Sequence, residues 1–173
     1  MGIEFLVDPP LTDGLRERIV SLWVEVTNAG GAVGFVAPVE VAEVLPVAEA
    51  TFAGVAEGVD RLIVGVDGDQ VVAVLFVVDN RFALKDHWRV LKRVMVRPGS
   101  QGKGYGAALM REAEALGRKA GLAGLQVTVR GGEGIEGFYT RLGYREVGRI
   151  PGALRLGPGD DRDEAYMWLD LAD

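Results

Sequence analysis

Residues 94–106 read Val-Met-Val-Arg-Pro-Gly-Ser-Gln-Gly-Lys-Gly-Tyr-Gly. An apolar run enters a glycine-rich turn, and a helical pattern leaves it. The first amides of a helix have no internal partners and point outward at its positive end. Glycine lets that backbone approach a ligand closely, so such a turn can hold phosphate. Lys103 adds a positive charge beside it. Three phosphate-binding patterns compete for the stretch. The Walker form requires a glycine five residues before Gly102 and a Ser or Thr after Lys103, where this chain has Arg97 and Gly104. The dinucleotide form G-x-G-x-x-G/A is matched loosely by Gly102, Gly104 and Ala107. That form should open its fold and continue through several βα units. Here it comes late in the chain, and the next strand ends in Arg130 rather than an acid. The third form, Q/R-x-x-G-x-G/A, is met by Gln101, Gly104 and Gly106. A plain strand-to-helix connection is the remaining alternative, but glycines at 102, 104 and 106 exceed what a connection needs.

Periodicity supplies the elements around this turn. Ile3 to Val7 is a short apolar run ended by Pro9 and Pro10, which predicts a first strand. Leu15, Ile19, Leu22 and Val26 share one helical face, with Thr12 or Asp13 as N-cap and Gly30-Gly31 as the stop. Pro38 opens a second helical stretch with Val41, Leu45, Ala48, Phe52 and Val55 on one face; Pro46 inside it predicts a kink or two short helices. Leu62–Val66 and Val71–Val78 are β-rich runs about Asp67-Gly68, a hairpin signal. Val90–Val96 is a further strand whose alternation slips: Leu91 and Met95 share parity with Arg93, and Val90 and Val94 with Lys92. A bulge would produce that slip.

Gly104 to Ala120 is helical, with Leu109, Ala113, Leu116 and Ala120 on one face and Gly121 at the end. Leu125, Val127 and Val129 alternate with Gln126, Thr128 and Arg130 as a half-buried strand. Ile135, Phe138, Tyr139 and Leu142 form a short helix face closed by Gly143. Tyr144–Ile150 and Ala165–Leu171 read as the last two strands, with a loop over 157–162. The order β-α-α-β-β-β-α-β-α-β-β predicts a mixed α/β layer structure, one domain over residues 1–173 with no linker.

Composition narrows the function. The chain has 173 residues, 49% apolar and 25% charged, which is ordinary for a globular protein. With no cysteine, a disulfide framework, a cysteine-ligated metal and a thiol nucleophile are excluded; with one histidine, so is a multi-histidine metal site. No metal is expected. The net charge is −6 and the pI 4.9. The chain lacks the basic stripe that nucleic acid requires and suits anionic membranes poorly, whereas a cationic substrate is electrostatically favoured. The opening Met-Gly-Ile-Glu-Phe-Leu-Val-Asp has no basic n-region, and charges break every apolar run well short of the ~20 residues that span a bilayer. The expected location is cytoplasmic.

The Gln101, Gly104, Gly106 pattern strongly resembles the acetyl-CoA signature of the GNAT superfamily, the general-control-type N-acetyltransferases. Its setting agrees: an apolar strand with a Val-Arg-Pro exit before it, and a later Gly-Phe-Tyr-Thr-Arg-Leu-Gly-Tyr block at 137–144 that is similar to the family's second signature. Gly-Arg-Ile-Pro-Gly at 148–152 and His87 ahead of the strand resemble, more narrowly, the tabtoxin-resistance acetyltransferase type. The resemblance implies a central, mostly antiparallel mixed sheet of about seven strands flanked by about four helices and splayed between the fourth and fifth strands. It implies acetyl-CoA as co-substrate. Pantetheine would run beside the 90–96 strand, pairing with backbone near Met95 and Val96. The pyrophosphate would rest on the amides of Gln101, Gly102, Lys103, Gly104, Tyr105 and Gly106, with Ala107 next in the helix.

Acetyl transfer to an amine needs a neutral amine, a stabilised oxyanion and a protonated leaving thiolate. Alkyl amines have pKa about 10 and thiols about 8.5, so a base and an acid both help near neutral pH. The expected oxyanion donor is a backbone N–H near Val96. Without cysteine, transfer should be direct, within a ternary complex. The resemblance aligns Tyr139 with the family tyrosine that reaches the CoA sulfur as general acid; sharing an apolar face with Ile135 and Leu142, it could instead be core. Many family members carry an asparagine seven residues before that tyrosine, where this chain has Gly132. The central strand offers Arg89, Lys92 and Arg93 but no acid. His87 is the candidate base, because an imidazole is the side chain that changes charge around neutral pH, its other reading being a structural or solvent-facing side chain. Asp86, Glu49 and Asp60 are further candidates, and Asp160, Asp161 and Asp163 read as a solvated, cation-attracting rim. Gly30–Val36 and Pro151–Asp163 are the expected acceptor loops. The expected partner is a small-molecule amine, with a homodimer open. A non-catalytic acyl-CoA sensor and a protein acetyltransferase, acting on an N-terminus or lysine, are the alternative functions.

Overall fold

A computed structural model describes residues 2–172 of the chain. Its element order is the one that periodicity predicts: β1 (Glu4–Val7), α1 (Asp13–Asn28), α2 (Val41–Ala56), β2 (Arg61–Asp67), β3 (Gln70–Val78), β4 (Trp88–Val96), α3 (Tyr105–Lys119), β5 (Gly124–Arg130), α4 (Glu136–Arg141), β6 (Arg145–Gly157) and β7 (Asp160–Asp170). Short 3₁₀ turns occupy Ala83–Lys85 and Pro98–Ser100. The seven strands form one mixed sheet in the order β1-β2-β3-β4-β5-β7-β6, with β4 parallel to β5. By packing, the chain divides into two compact units: Met1–Asp79 with Lys92–Ala113, and Asn80–Leu91 with Glu114–Asp173.

In the first unit, the Thr12 hydroxyl accepts the Leu15 N–H at 3.2 Å and caps α1. The helix buries Leu15, Ile19, Leu22, Trp23 and Val26, the apolar face plus an indole. These side chains pack with Val44, Ala48 and Phe52 of α2 and with Leu62, Val64, Val74, Phe76 and Met95 of the sheet. Helix α2 starts at Val41, not Pro38, and runs unbroken through Pro46. Of the kink or two short helices that Pro46 predicts, the division into two helices does not occur. Proline removes one internal hydrogen bond, but Glu43 accepts the Glu40 N–H at 2.8 Å to secure the first turn, and buried Ala48 and Phe52 fasten the rest. The α1–α2 loop is held at both ends. Trp23 Nε1 donates to the Val33 carbonyl at 2.9 Å, and the Asn28 amide brackets Val39 with bonds of 2.9 and 3.0 Å.

Arg93 in β4 has φ +56, a left-handed residue inside an extended run. The apolar alternation of the strand slips at the same residue. The register of β4 with β5 covers Trp88↔Gly124 to Leu91↔Val127.

The second unit contains β5, with Leu125, Val127 and Val129 buried, antiparallel to β7 with Ala165, Met167 and Leu169 buried. Trp88 and Trp168 meet edge-on with centroids 5.5 Å apart. The β6–β7 hairpin corrects the predicted loop over 157–162. Strand β6 continues through Gly157 and β7 begins at Asp160, so only Pro158 and Gly159 turn the chain. Gly159 supplies φ +74, and Arg155 faces Asp161 across the ladder in a 2.7 Å ion pair. No helix among the described residues is long and apolar enough to cross a membrane.

Candidate active site

The glycine turn begins from an anchored residue. The Arg97 N–H donates to the Val72 carbonyl at 2.7 Å. Its guanidinium donates to the Val71 carbonyl at 2.8 and 3.2 Å and forms an ion pair with Glu25 of α1. The 3₁₀ turn then closes with Ser100 N–H on the Arg97 carbonyl at 2.8 Å. The Gln101 side chain folds back to the Val96 carbonyl at 3.2 Å. Beyond it, Gly102 has φ +79 and Gly104 φ +82. Left-handed residues alternating with ordinary ones curl the backbone so that successive N–H groups converge, a concavity that favours anions.

The next amide to find a backbone acceptor is Ala108, which donates to Gly104 at 3.0 Å. Among the described residues, the amides of 102–107 have no backbone partner. A Cβ placed on Gly102 or Gly104 would meet nothing within 4 Å, so the space in front of the turn is open. Exposed Lys103 stands between the two glycines. Unpaired amides, open space and a cation together fit a pyrophosphate. Met95 contributes differently from its neighbours: its side chain is 1% exposed and lies in the core, so only its backbone could meet a ligand.

Tyr139 lies in the second unit on α4. Its ring packs edge-on against Phe138 at 5.1 Å and Tyr144 at 5.7 Å. The side chain is buried, and its hydroxyl makes no hydrogen bond among the described residues. Burial pushes the phenol pKa well above its ordinary value, because the ionised form would lose its hydration. The packed, buried ring fits the core reading of Tyr139, and its hydroxyl takes no part in that packing through a hydrogen bond among the described residues. Gly132 has φ +88, and a Cβ there would touch only the Arg162 side chain, at 3.4 Å or more.

His87 follows the Ala83–Lys85 turn. Its side chain is 60% exposed, with Nδ1 4.0 Å from the Asp86 carboxylate, and its carbonyl accepts the Ala123 N–H at 2.7 Å. The other acids are engaged elsewhere. Glu49 pairs with Arg16 at 3.3 Å, and buried Asp60 accepts the Asp79 N–H at 2.9 Å. The expected acidic rim is not free. Asp160 pairs with Arg162, Asp161 with Arg155 and Asp163 with Arg149. Arg155 holds the Asp161 carboxyl below the ordinary range, and the Gly152 N–H, then Arg149, does the same for Asp163. No group of three His, Cys, Asp or Glu among the described residues could hold a metal.

One residue gains importance only in three dimensions. Arg93, in sequence merely a strand cation, is half-buried with its guanidinium over the Trp23 ring, 5.4 Å from the centroid. Its parity slip was the one signal that set it apart.

Residues 58–146 match the family profile described as Acetyltransferase (GNAT) domain. Among solved structures, the chain is similar to an N-acetyltransferase from Staphylococcus aureus Mu50, with TM-score 0.82 at 13% identity over 99% of this chain and 100% of that one. It is also similar to a ribosomal-protein-alanine N-acetyltransferase from Brucella melitensis (TM-score 0.76, 17% identity, 98% and 99% covered). An aminoglycoside 6'-N-acetyltransferase complexed with coenzyme A gives TM-score 0.74 at 16% identity, covering 100% of this chain and 98% of that one. At such identities the likeness is one of fold.

Proposed function

Because this chain belongs to the GNAT acetyltransferase family, we propose that it transfers an acetyl group from acetyl-CoA directly to a primary amine of a small molecule. The observation that carries the reading is the open cradle of unpaired amides at 102–107, with Lys103 beside it. Gln101 to Ala107 would hold the pyrophosphate, and backbone near Met95 and Val96 the pantetheine. Acetyl-CoA supplies its acetyl group as a thioester: the N–C bond forms as the C–S bond breaks, the sulfur leaves with the electron pair and takes a proton, and the amine gives one up.

The chain's own groups are assigned accordingly. Tyr139 is the proposed proton donor, since a phenol carries its proton near neutral pH and no hydrogen bond among the described residues occupies its hydroxyl. His87, open to solvent, is the proposed acceptor of the amine proton through water. The Val96 N–H is the proposed donor to the carbonyl oxygen. With no cysteine in the chain, the acetyl group passes to the amine without resting on a thiol.

The test is a CoA-release assay against amines, amino acids, aminoglycosides and peptides, run beside calorimetry with CoA. Turnover on one class of free amine is expected. Turnover only on folded protein would establish protein acetylation instead. Tight CoA binding with no turnover on any acceptor would establish the sensor role.

A further inference from the structure

Arg93 is a half-buried cation without an oxyanion. Its guanidinium contacts the Trp23 ring, yet among the described residues it makes neither an ion pair nor a hydrogen bond. A π-face eases the charge and leaves the N–H donors unfilled. Glu25, on the same helix as Trp23, pairs with Arg97. Burying an arginine without a partner is unfavourable, and desolvation lowers its pKa.

The backbone adds a second observation. A Cβ on Gly34 would fall 2.3 Å from Arg93 Nη1, and Gly34 has φ +98. The guanidinium therefore lies directly against residues 30–36, the loop expected to meet the acceptor. Arg93 itself sits at φ +56, a conformation costly for a long side chain. The left-handed backbone at Arg93, the glycine and the indole together place one cation beside that loop.

We propose that Arg93 determines acceptor specificity by pairing with a carboxylate on the amine substrate, so that the acceptors are amino acids or similar amines bearing an oxyanion. This rests on the acetyltransferase reading and refines it. It also reverses the expectation from net charge: the overall −6 favours cations at long range, whereas a desolvated guanidinium decides what binds at contact.

Two measurements test it separately from that reading. First, CoA release is followed for proteinogenic amino acids, each paired with its C-terminal amide. Charge-assisted hydrogen bonds predict that wild type favours the acid over the amide by about ten- to hundredfold in kcat/KM. Arg93→Gln should bring the ratio near one with CoA affinity unchanged, and Arg93→Lys should fall between. Second, the Arg93 Nε–Hε cross-peak, identified by its loss in Arg93→Lys, should shift when the same amino acids are added to the whole chain and stay still with the amides. Turnover without preference for the acid overturns this proposal and leaves acetyl transfer standing. A carboxylate-dependent shift without turnover on any amine upholds the Arg93 pairing and overturns acetyl transfer. A shift produced by CoA alone, to which the acids add nothing, assigns the oxyanion to the CoA phosphates and overturns the proposal.

Discussion

Arg97 and Glu25 form an ion pair that ties the exit of β4 to helix α1 just before the glycine turn. The same guanidinium donates to the Val71 carbonyl of β3, so one side chain joins three elements at the base of the cradle. Glu25→Gln keeps the shape and removes the charge. As both side chains are partly exposed, its stability cost should stay below about 1 kcal/mol. Arg97→Met also strips the Val71 carbonyl of its side-chain donors and should cost about 1–3 kcal/mol in urea unfolding. CoA affinity should fall in the same order. Equal costs for the two variants would show that the carbonyl bonds contribute nothing.

Gly102 and Gly104 are constrained by conformation, not by crowding. Each is left-handed with open space around it, so an added Cβ strains the backbone by about 1 kcal/mol or more. Gly104→Val should abolish CoA binding in calorimetry at a small stability cost, because it turns the amides out of convergence. Gly99→Ala is the internal control. Gly99 has equal space and no left-handed φ, so binding and Tm should both be unchanged. A Gly104→Val variant with wild-type CoA affinity would remove the cradle from the site.

The two glycine positions also show what the sequence could convey. Their spacing signals a turn of left-handed glycines that leaves its amides unpaired, because local chemistry alone sets it. The element order was equally legible, since α1, α3 and β5 each bury a periodic face and β3 is a continuous apolar run buried on both sides. The β6–β7 hairpin is not legible because acids at 160, 161 and 163 resemble a loop until Arg162 on the same strand and Arg155 and Arg149 across the ladder pair with them. The surroundings of Arg93 are hidden from the sequence for a related reason. Its environment is made by Trp23 and Gly34, which lie far away in sequence.

Gly124 opens β5 under the Trp168 ring, where a Cβ would lie 2.1 Å from Cζ2. A rigid indole already edge-on to Trp88 cannot give way cheaply. Gly124→Ala should destabilise the protein by about 1–3 kcal/mol through overpacking. Adding Trp168→Leu should recover part of that loss, so that the double variant costs less than the two single changes together. Strict additivity in urea unfolding would show that the two sites do not touch in solution.

Tyr139→Phe separates chemistry from packing because the hydroxyl has no hydrogen bond to lose. The ring still fills its place against Phe138 and Tyr144, so Tm should be unchanged or slightly higher. If the hydroxyl protonates the leaving sulfur, kcat should fall by about 10²-fold or more, with acetyl-CoA affinity preserved. The pH dependence of stability gives an independent check. The folded state holds the Tyr139 proton more tightly than the unfolded chain, whose phenol ionises near its ordinary value of about 10. The unfolded state therefore binds fewer protons above that pH, and this contribution is complete below pH of about 10 and lost as pH rises beyond it. Tyr139→Phe lacks the term, so its stability should decline less steeply than wild type in alkaline urea titrations. Parallel curves for the two proteins would show that Tyr139 ionises freely in the folded state. A Phe variant with full kcat at saturating substrates would instead leave solvent as the proton donor.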